Sequence, residues 1–97
     1  MKKSITEIAD IVLHTLELDN ISKWDYVTDC DGGHQQNHIF YEDDNVDFDC
    51  YAAIDDDGKV EVEIDGYHVF GNDDKHFTDD EISELERIIC NAVFNAA

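Results

Sequence analysis

VDFDCYAAIDDDGKVEVEI, residues 46–64, decides the fold. Val46, Phe48, Cys50, Ala52 and Ile54 alternate with Asp47, Asp49, Tyr51, Ala53 and Asp55. Val60, Val62 and Ile64 alternate in the same way with Lys59, Glu61, Glu63 and Asp65. A period of two sends successive side chains to opposite sides, so each run reads as a strand with one apolar and one acidic face. Asp56-Asp57-Gly58 between them fits a three-residue hairpin loop with Gly58 in the left-handed position. That register pairs Ile54 with Val60, Ala52 with Val62 and Cys50 with Ile64 on the apolar face. On the other face Asp49 meets Asp65, Tyr51 meets Glu63, Ala53 meets Glu61 and Asp55 meets Lys59, with Asp47 extending the row. Asp65-Gly66 then predicts a two-residue turn of the primed type into a short strand from Tyr67 to Phe70. Upstream, Trp24 to Cys30 and His38 to Glu42 are weaker strand candidates, separated by an expected polar loop from Asp31 to Asn37.

Helices flank this region. Ser4 and Glu7 have capping-box spacing ahead of a helix expected from Ile5 to Leu18. Its stripe of Ile5, Ile8, Ala9, Val12, Leu13 and Leu16 opposes Glu7, Asp10, His14 and Glu17, and Asp19-Asn20 ends it. Thr78 and Glu81 form a second capping box, and Phe77 and Ile82 have the spacing of a hydrophobic staple. Ile82, Leu85, Ile88, Ile89, Ala92 and Val93 then make the buried stripe of a helix running to about Phe94. Asp79, Asp80 and Glu81 complement the dipole of its first turn. The expected architecture is α+β in two layers: an N-terminal helix, an antiparallel sheet of three to five strands and a C-terminal helix, in one domain over residues 1–97.

Composition narrows the function. The 97 residues carry 25 Asp+Glu against 6 Lys+Arg, a formal net charge of -19. Direct nucleic-acid binding and attachment to an anionic membrane both need Lys and Arg clusters that this chain lacks. With 42% hydrophobic and 10% aromatic residues it is not a disordered acidic tail. No apolar run reaches membrane-spanning length, and Met1-Lys2-Lys3 leads into an amphipathic segment rather than a signal sequence. Three irregularly spaced cysteines suit a reducing cytosol, so a cytoplasmic location is expected. A typical globule of this length spans about 32 Å. Nineteen charges over that span approach the linear density of duplex DNA, about one per 1.7 Å.

Other chemistry is thinly represented. Glu61-Val62-Glu63-Ile64-Asp65-Gly66 resembles half of a calcium loop, but Asn72 stands where the bidentate Glu belongs and no helix precedes it. Cys30, His34 and His38 offer three zinc ligands at wide spacing, without a fourth and without a C-x-x-C knuckle. His14 and His68 read as surface histidines. No acid sits alone among apolar residues, which a general acid requires. Cys50 and Cys90 read as core or near-core thiols with no activating base. With no nucleotide or hydrolase motif either, no enzyme, metal or cofactor is expected.

The acid itself is patterned. Carboxylates directly opposed across strands cost up to ~1 kcal/mol per pair, which a chain optimising only its own stability would avoid by interleaving Lys or Thr. The plain alternative is a solvated face kept acidic for solubility and edge protection. Halophilic adaptation spreads acid evenly, whereas here 17 of the 25 carboxylates lie between Asp43 and Glu86. Trp24, Tyr26, Phe40, Phe48, Tyr67 and Phe77 are expected in the core. Tyr51 and Phe70, with Tyr41 as a further candidate, are expected on the acidic side as anchors within a charged rim.

A small, strongly acidic α+β chain with rows such as Asp47-x-Asp49 and Glu61-x-Glu63-x-Asp65 resembles the DNA-mimic proteins of phages and mobile elements, most of all the small anti-CRISPR proteins. The resemblance covers the whole chain in size, charge and organisation and rests on no shared motif. It implies a stoichiometric inhibitor that occupies the DNA-binding channel of a defence nuclease or CRISPR surveillance complex. The expected partner is therefore a basic nucleic-acid-binding protein or ribonucleoprotein complex. The candidate contact residues are Asp47, Asp49, Tyr51, Asp55, Glu61, Glu63, Asp65, Asp73 and Asp74, followed by Asp79, Asp80 and Glu84. Two rivals are an immunity or antitoxin protein neutralising a basic nuclease toxin, and a small metal-binding module using Cys30, His34 and His38.

Overall fold

The computed structural model describes residues 3–30, 32–70 and 73–97, with the backbone alone at 70, 73 and 74. Helix α1 (Ile5–Thr15) is followed by a 3-10 helix (Leu18–Lys23), five strands and helix α2 (Asp79–Ala96). The strands are β1 (Asp25–Asp29), β2 (Gly32–Glu42), β3 (Val46–Asp55), β4 (Val60–Phe70) and β5 (Asp73–His76). They form one antiparallel sheet in the order β1-β2-β3-β4-β5. Both helices pack on one face, giving the expected two-layer α+β architecture.

Each helix starts where its side chains can satisfy the free N–H groups of the first turn. The Ser4 and Thr78 hydroxyls accept from Glu7 N and Glu81 N, and the two glutamates accept from the cap backbone. Ile8, Val12 and Leu16 then meet Leu85, Ile89 and Val93 of α2 over Val46, Phe48, Cys50 and Ala52 of β3 and Ile64 of β4. Phe77 and Ile82, the staple pair, both join this core.

The central hairpin has the expected register: Ile54 pairs with Val60, Ala52 with Val62 and Cys50 with Ile64. Gly58 closes its loop at φ 85°, a left-handed conformation that glycine adopts without strain. The Asp55 carboxylate steadies the loop by accepting from Asp57 N and Lys59 N.

Four expectations about the fold are corrected. First, α1 ends at Thr15, because Glu17 takes φ 57° and diverts the chain into the 3-10 helix. Leu16 O, left free by that break, accepts from Trp24 Nε1 at 2.9 Å and Asn37 Nδ2 at 3.2 Å. Second, no loop spans residues 32–37: they begin β2, and Asp31 lies outside the described residues. The inward residues here are polar, yet Gln35 and Asn37 donate to Ile21 O and Leu16 O, so their burial is compensated. Third, Asp65-Gly66 is not a turn. β4 runs straight through it, and a Cβ on Gly66 would lie 2.4 Å from Phe48 Cβ across the ladder. Gly66 is thus the space that lets Phe48 lie on the sheet. Fourth, the molecule is longer than a typical globule, 44 × 25 × 22 Å. The eleven-residue strands β2 and β4 account for this, since each reaches ~36 Å. The net charge of -19 then amounts to one charge per roughly 2.3 Å of the long axis, somewhat sparser than duplex DNA.

Among the described residues no helix is long and apolar enough to cross a membrane.

Candidate functional site

The sheet face turned away from the helices carries the acid. Strand pairing fixes its side chains in cross-strand rows. The first row runs Glu42–Asp47–Tyr67–His76 and the second Phe40–Asp49–Asp65. The third is His38–Tyr51–Glu63, and the fourth Asp25–Gln36–Ala53–Glu61. Val27–His34–Asp55 closes the face beside the hairpin loop. No Lys or Arg stands in any of these rows; Lys59 borders only their loop end.

Two other cations are paired away from these rows. Lys3 pairs with Asp43 at 3.2 Å and Arg87 with Glu84 on α2. The central carboxylates are held instead by local hydrogen bonds. Asp49 Oδ2 lies 3.0 Å from His38 Nε2, Asp65 Oδ1 accepts from Gly66 N at 2.9 Å, and Asp47 Oδ2 accepts from the Tyr67 hydroxyl at 3.4 Å. Each group is oriented and keeps a second oxygen without a protein hydrogen bond among the described residues. The Tyr51 hydroxyl donates to Gln36 Oε1 at 3.0 Å. Burial, and then the charges of Glu61 and Glu63, push the Tyr51 phenol above its ordinary pKa, so it remains a neutral donor.

Of the expected contact residues, Asp47, Asp49, Tyr51, Asp55, Glu61, Glu63 and Asp65 are brought together on this face. The side chains of Asp73 and Asp74 lie outside the described residues, although both belong to β5. Asp79, Asp80 and Glu84 lie on α2, away from these rows.

The aromatic residues divide differently from expectation. Trp24, Phe48 and Phe77 are buried, but Tyr26 is 55% and Phe40 75% exposed. Phe40 alternates with the buried Ile39 and so points out of the open face. Tyr26 lies over Gly33 near the sheet edge, its hydroxyl donating to the Asp56 carboxylate at 2.8 Å. Tyr67 is half-buried on the acidic face rather than in the core. Tyr41 stacks on Phe48 on the helix side, 5.3 Å between ring centres. The side chain of Phe70 lies outside the described residues.

His68 is no surface residue: it is 1% exposed, because unbroken β4 puts it on the core side with Ile64 and Gly66. Its Nε2 lies 3.1 Å from Glu81 Oε2, joining β4 to the cap of α2. Cys30 is exposed, while His34 and His38 project from β2 with Gln36 and Asp49 as respective partners. Among the described residues no group of three His, Cys, Asp or Glu side chains is placed to hold a metal ion.

The residues that sequence reasoning missed on this face are Phe40, His38 and Tyr67. Phe40 and Tyr67 flank a shallow groove of about 160 Å³ whose walls include Asp47, Asp49 and Asp65. A second groove runs beside His38, Tyr51 and Glu63 to Glu86 of α2. Period-two parity alone places Phe40 outward once Ile39 is taken as inward.

No protein-family model, curated protein or solved structure matches the chain.

Proposed function

We propose that the open sheet face is a mimic of a nucleic-acid backbone, and that the protein is a stoichiometric, non-catalytic inhibitor of a basic nucleic-acid-binding protein or ribonucleoprotein complex. The observation that carries this reading is the direct opposition of Asp49 and Asp65 in the middle of cross-strand rows that, among the described residues, hold no Lys or Arg. Two fixed carboxylates across a ladder repel one another, and a lysine on either strand would remove that cost. A partner whose Lys and Arg side chains ordinarily hold phosphates relieves the same repulsion on binding and is drawn in by long-range attraction. The folded mimic offers its charges to that site but cannot be bent, melted or cut as DNA is. By the resemblance in size and charge, the target class is a CRISPR surveillance complex or another defence nuclease.

The test is capture by the immobilised protein from host lysate, with stepwise salt washes and duplex DNA as competitor. The proposal expects a basic DNA-binding complex that salt and DNA both release. The variant Asp49→Lys/Glu61→Lys/Glu63→Lys/Asp65→Lys should fold and fail to retain it. Equal retention by this variant refutes the sheet-face reading. A lone small basic toxin, indifferent to DNA, assigns the protein to immunity instead.

A further inference from the structure

Phe40 is the most exposed large apolar side chain among the described residues of the open face, and charge does not explain it. A ring left 75% exposed at the β2 end of a carboxylate row contributes little to the core and wets a large apolar surface. It stands in register with Asp49, and Asp65 follows in the same row. His38 lies against one side of it, 4.7 Å between ring centres, and is itself tied to Asp49. The ring also lines the groove toward Tyr67. The ring, a second aromatic wall and three oriented carboxylates thus converge on one space.

We infer that this groove is an arginine-selective docking point, in which a guanidinium stacks on Phe40 while its N–H fork meets the open oxygens of Asp49 and Asp65. The inference rests on the acidic-face reading and specifies which cation that face takes at its centre. Arginine fits because its planar group is weakly hydrated, stacks on aromatic faces and donates to two acceptors at once. Lysine brings a compact, strongly hydrated charge that gains from carboxylates and little from the ring. A second copy of this chain is excluded as occupant by its own charge of -19. Nucleic acid is excluded by the same sign.

The test compares an octa-arginine with an octa-lysine peptide by titration calorimetry at low salt. The wild-type protein should bind the arginine peptide at least ~5-fold more tightly, within the range of a partly desolvated cation–π contact. Phe40→Ala and Phe40→Leu should bring the two peptides within about twofold of each other, and Phe40→Tyr should keep the preference. Because Phe40 is exposed, the melting temperatures of these variants should stay close to wild type. Equal binding of both peptides by the wild type, or a preference that survives in Phe40→Ala, overturns the inference while leaving the acidic-face reading in place. Failure to bind either peptide overturns both.

Discussion

Replacing Asp65 by Asn should make the protein more stable, and the gain should disappear in salt. Asn keeps the shape and the side-chain oxygen that accepts from Gly66 N, so the substitution removes charge and little else. Asp49 faces Asp65 directly, Glu63 stands two residues along the same strand, and Asp47 lies diagonally across. Typical separations for these positions are about 5.5, 6.7 and 7.5 Å. Coulomb's law in water, screened by a Debye length of ~10 Å, then gives about 1 kcal/mol of relief at 0.1 M salt. At 1 M salt, where the Debye length is ~3 Å, the same sum falls to about 0.2 kcal/mol. For a domain of this size that is a rise in melting temperature of roughly 4–8 °C at low salt and about 1–2 °C at high salt. Thermal unfolding of both proteins across a salt series is the assay. A destabilised Asp65→Asn, or a gain that does not change with salt, would refute the claim that the face stores repulsion.

Three further outcomes follow from the packing and the titrating groups. Gly66→Ala should cost about 1–3 kcal/mol in urea unfolding, because its Cβ would have to displace Phe48 and the Asp47 carbonyl. Partial burial works to raise the Asp43 pKa, but hydrogen bonds from Asn45 N, the Tyr41 hydroxyl, Val46 N and Lys3 outweigh it and hold the carboxyl at about 2. Since this folded-state value lies below the unfolded one, the stabilisation is fully present above about pH 4 and is lost as pH falls toward 2. The stability difference between wild type and Asp43→Asn should close over that interval. Burial first, and then the charges of Asp49 and Glu86, push the Cys50 thiol up to about 12. A thiol reagent at pH 8 should therefore modify exposed Cys30 in the native protein and reach Cys50 only on unfolding.

Much of the fold was legible because local chemistry and global packing agree. The two capping boxes mark the starts of both helices, and period two together with Asp56-Asp57-Gly58 sets the central register to the residue. The misread segments are those where a local signal meets a distant partner. Asp65-Gly66 has the composition of a turn, but the ring of Phe48 needs a strand without a Cβ at that point. Taking it as a turn also reset the parity of the chain, which hid the burial of His68. Residues 34–37 lack the apolar alternation of a strand, because their inward positions serve the carbonyl groups of Ile21 and Leu16.

The candidate site was legible to the same extent. Alternation put Asp47, Asp49, Tyr51, Glu61, Glu63 and Asp65 on one face before any geometry was known. It gave His38 to Glu42 as a strand but not its register against β3, which brings His38 and Phe40 into the same array. Aromatic residues are ordinarily assigned to the interior on composition, and only the alternation with Ile39 and Tyr41 contradicts that for Phe40.

The central claim is most directly tested by competition for a single site. A defence complex captured by the protein should be titrated with labelled target duplex, with and without a stoichiometric amount of the wild-type chain. The account predicts that the chain displaces the duplex mole for mole, that rising salt weakens the displacement, and that the Asp49→Lys/Asp65→Lys variant leaves the duplex bound. A ternary complex holding both chain and duplex, or full displacement by the charge-reversed variant, would contradict it.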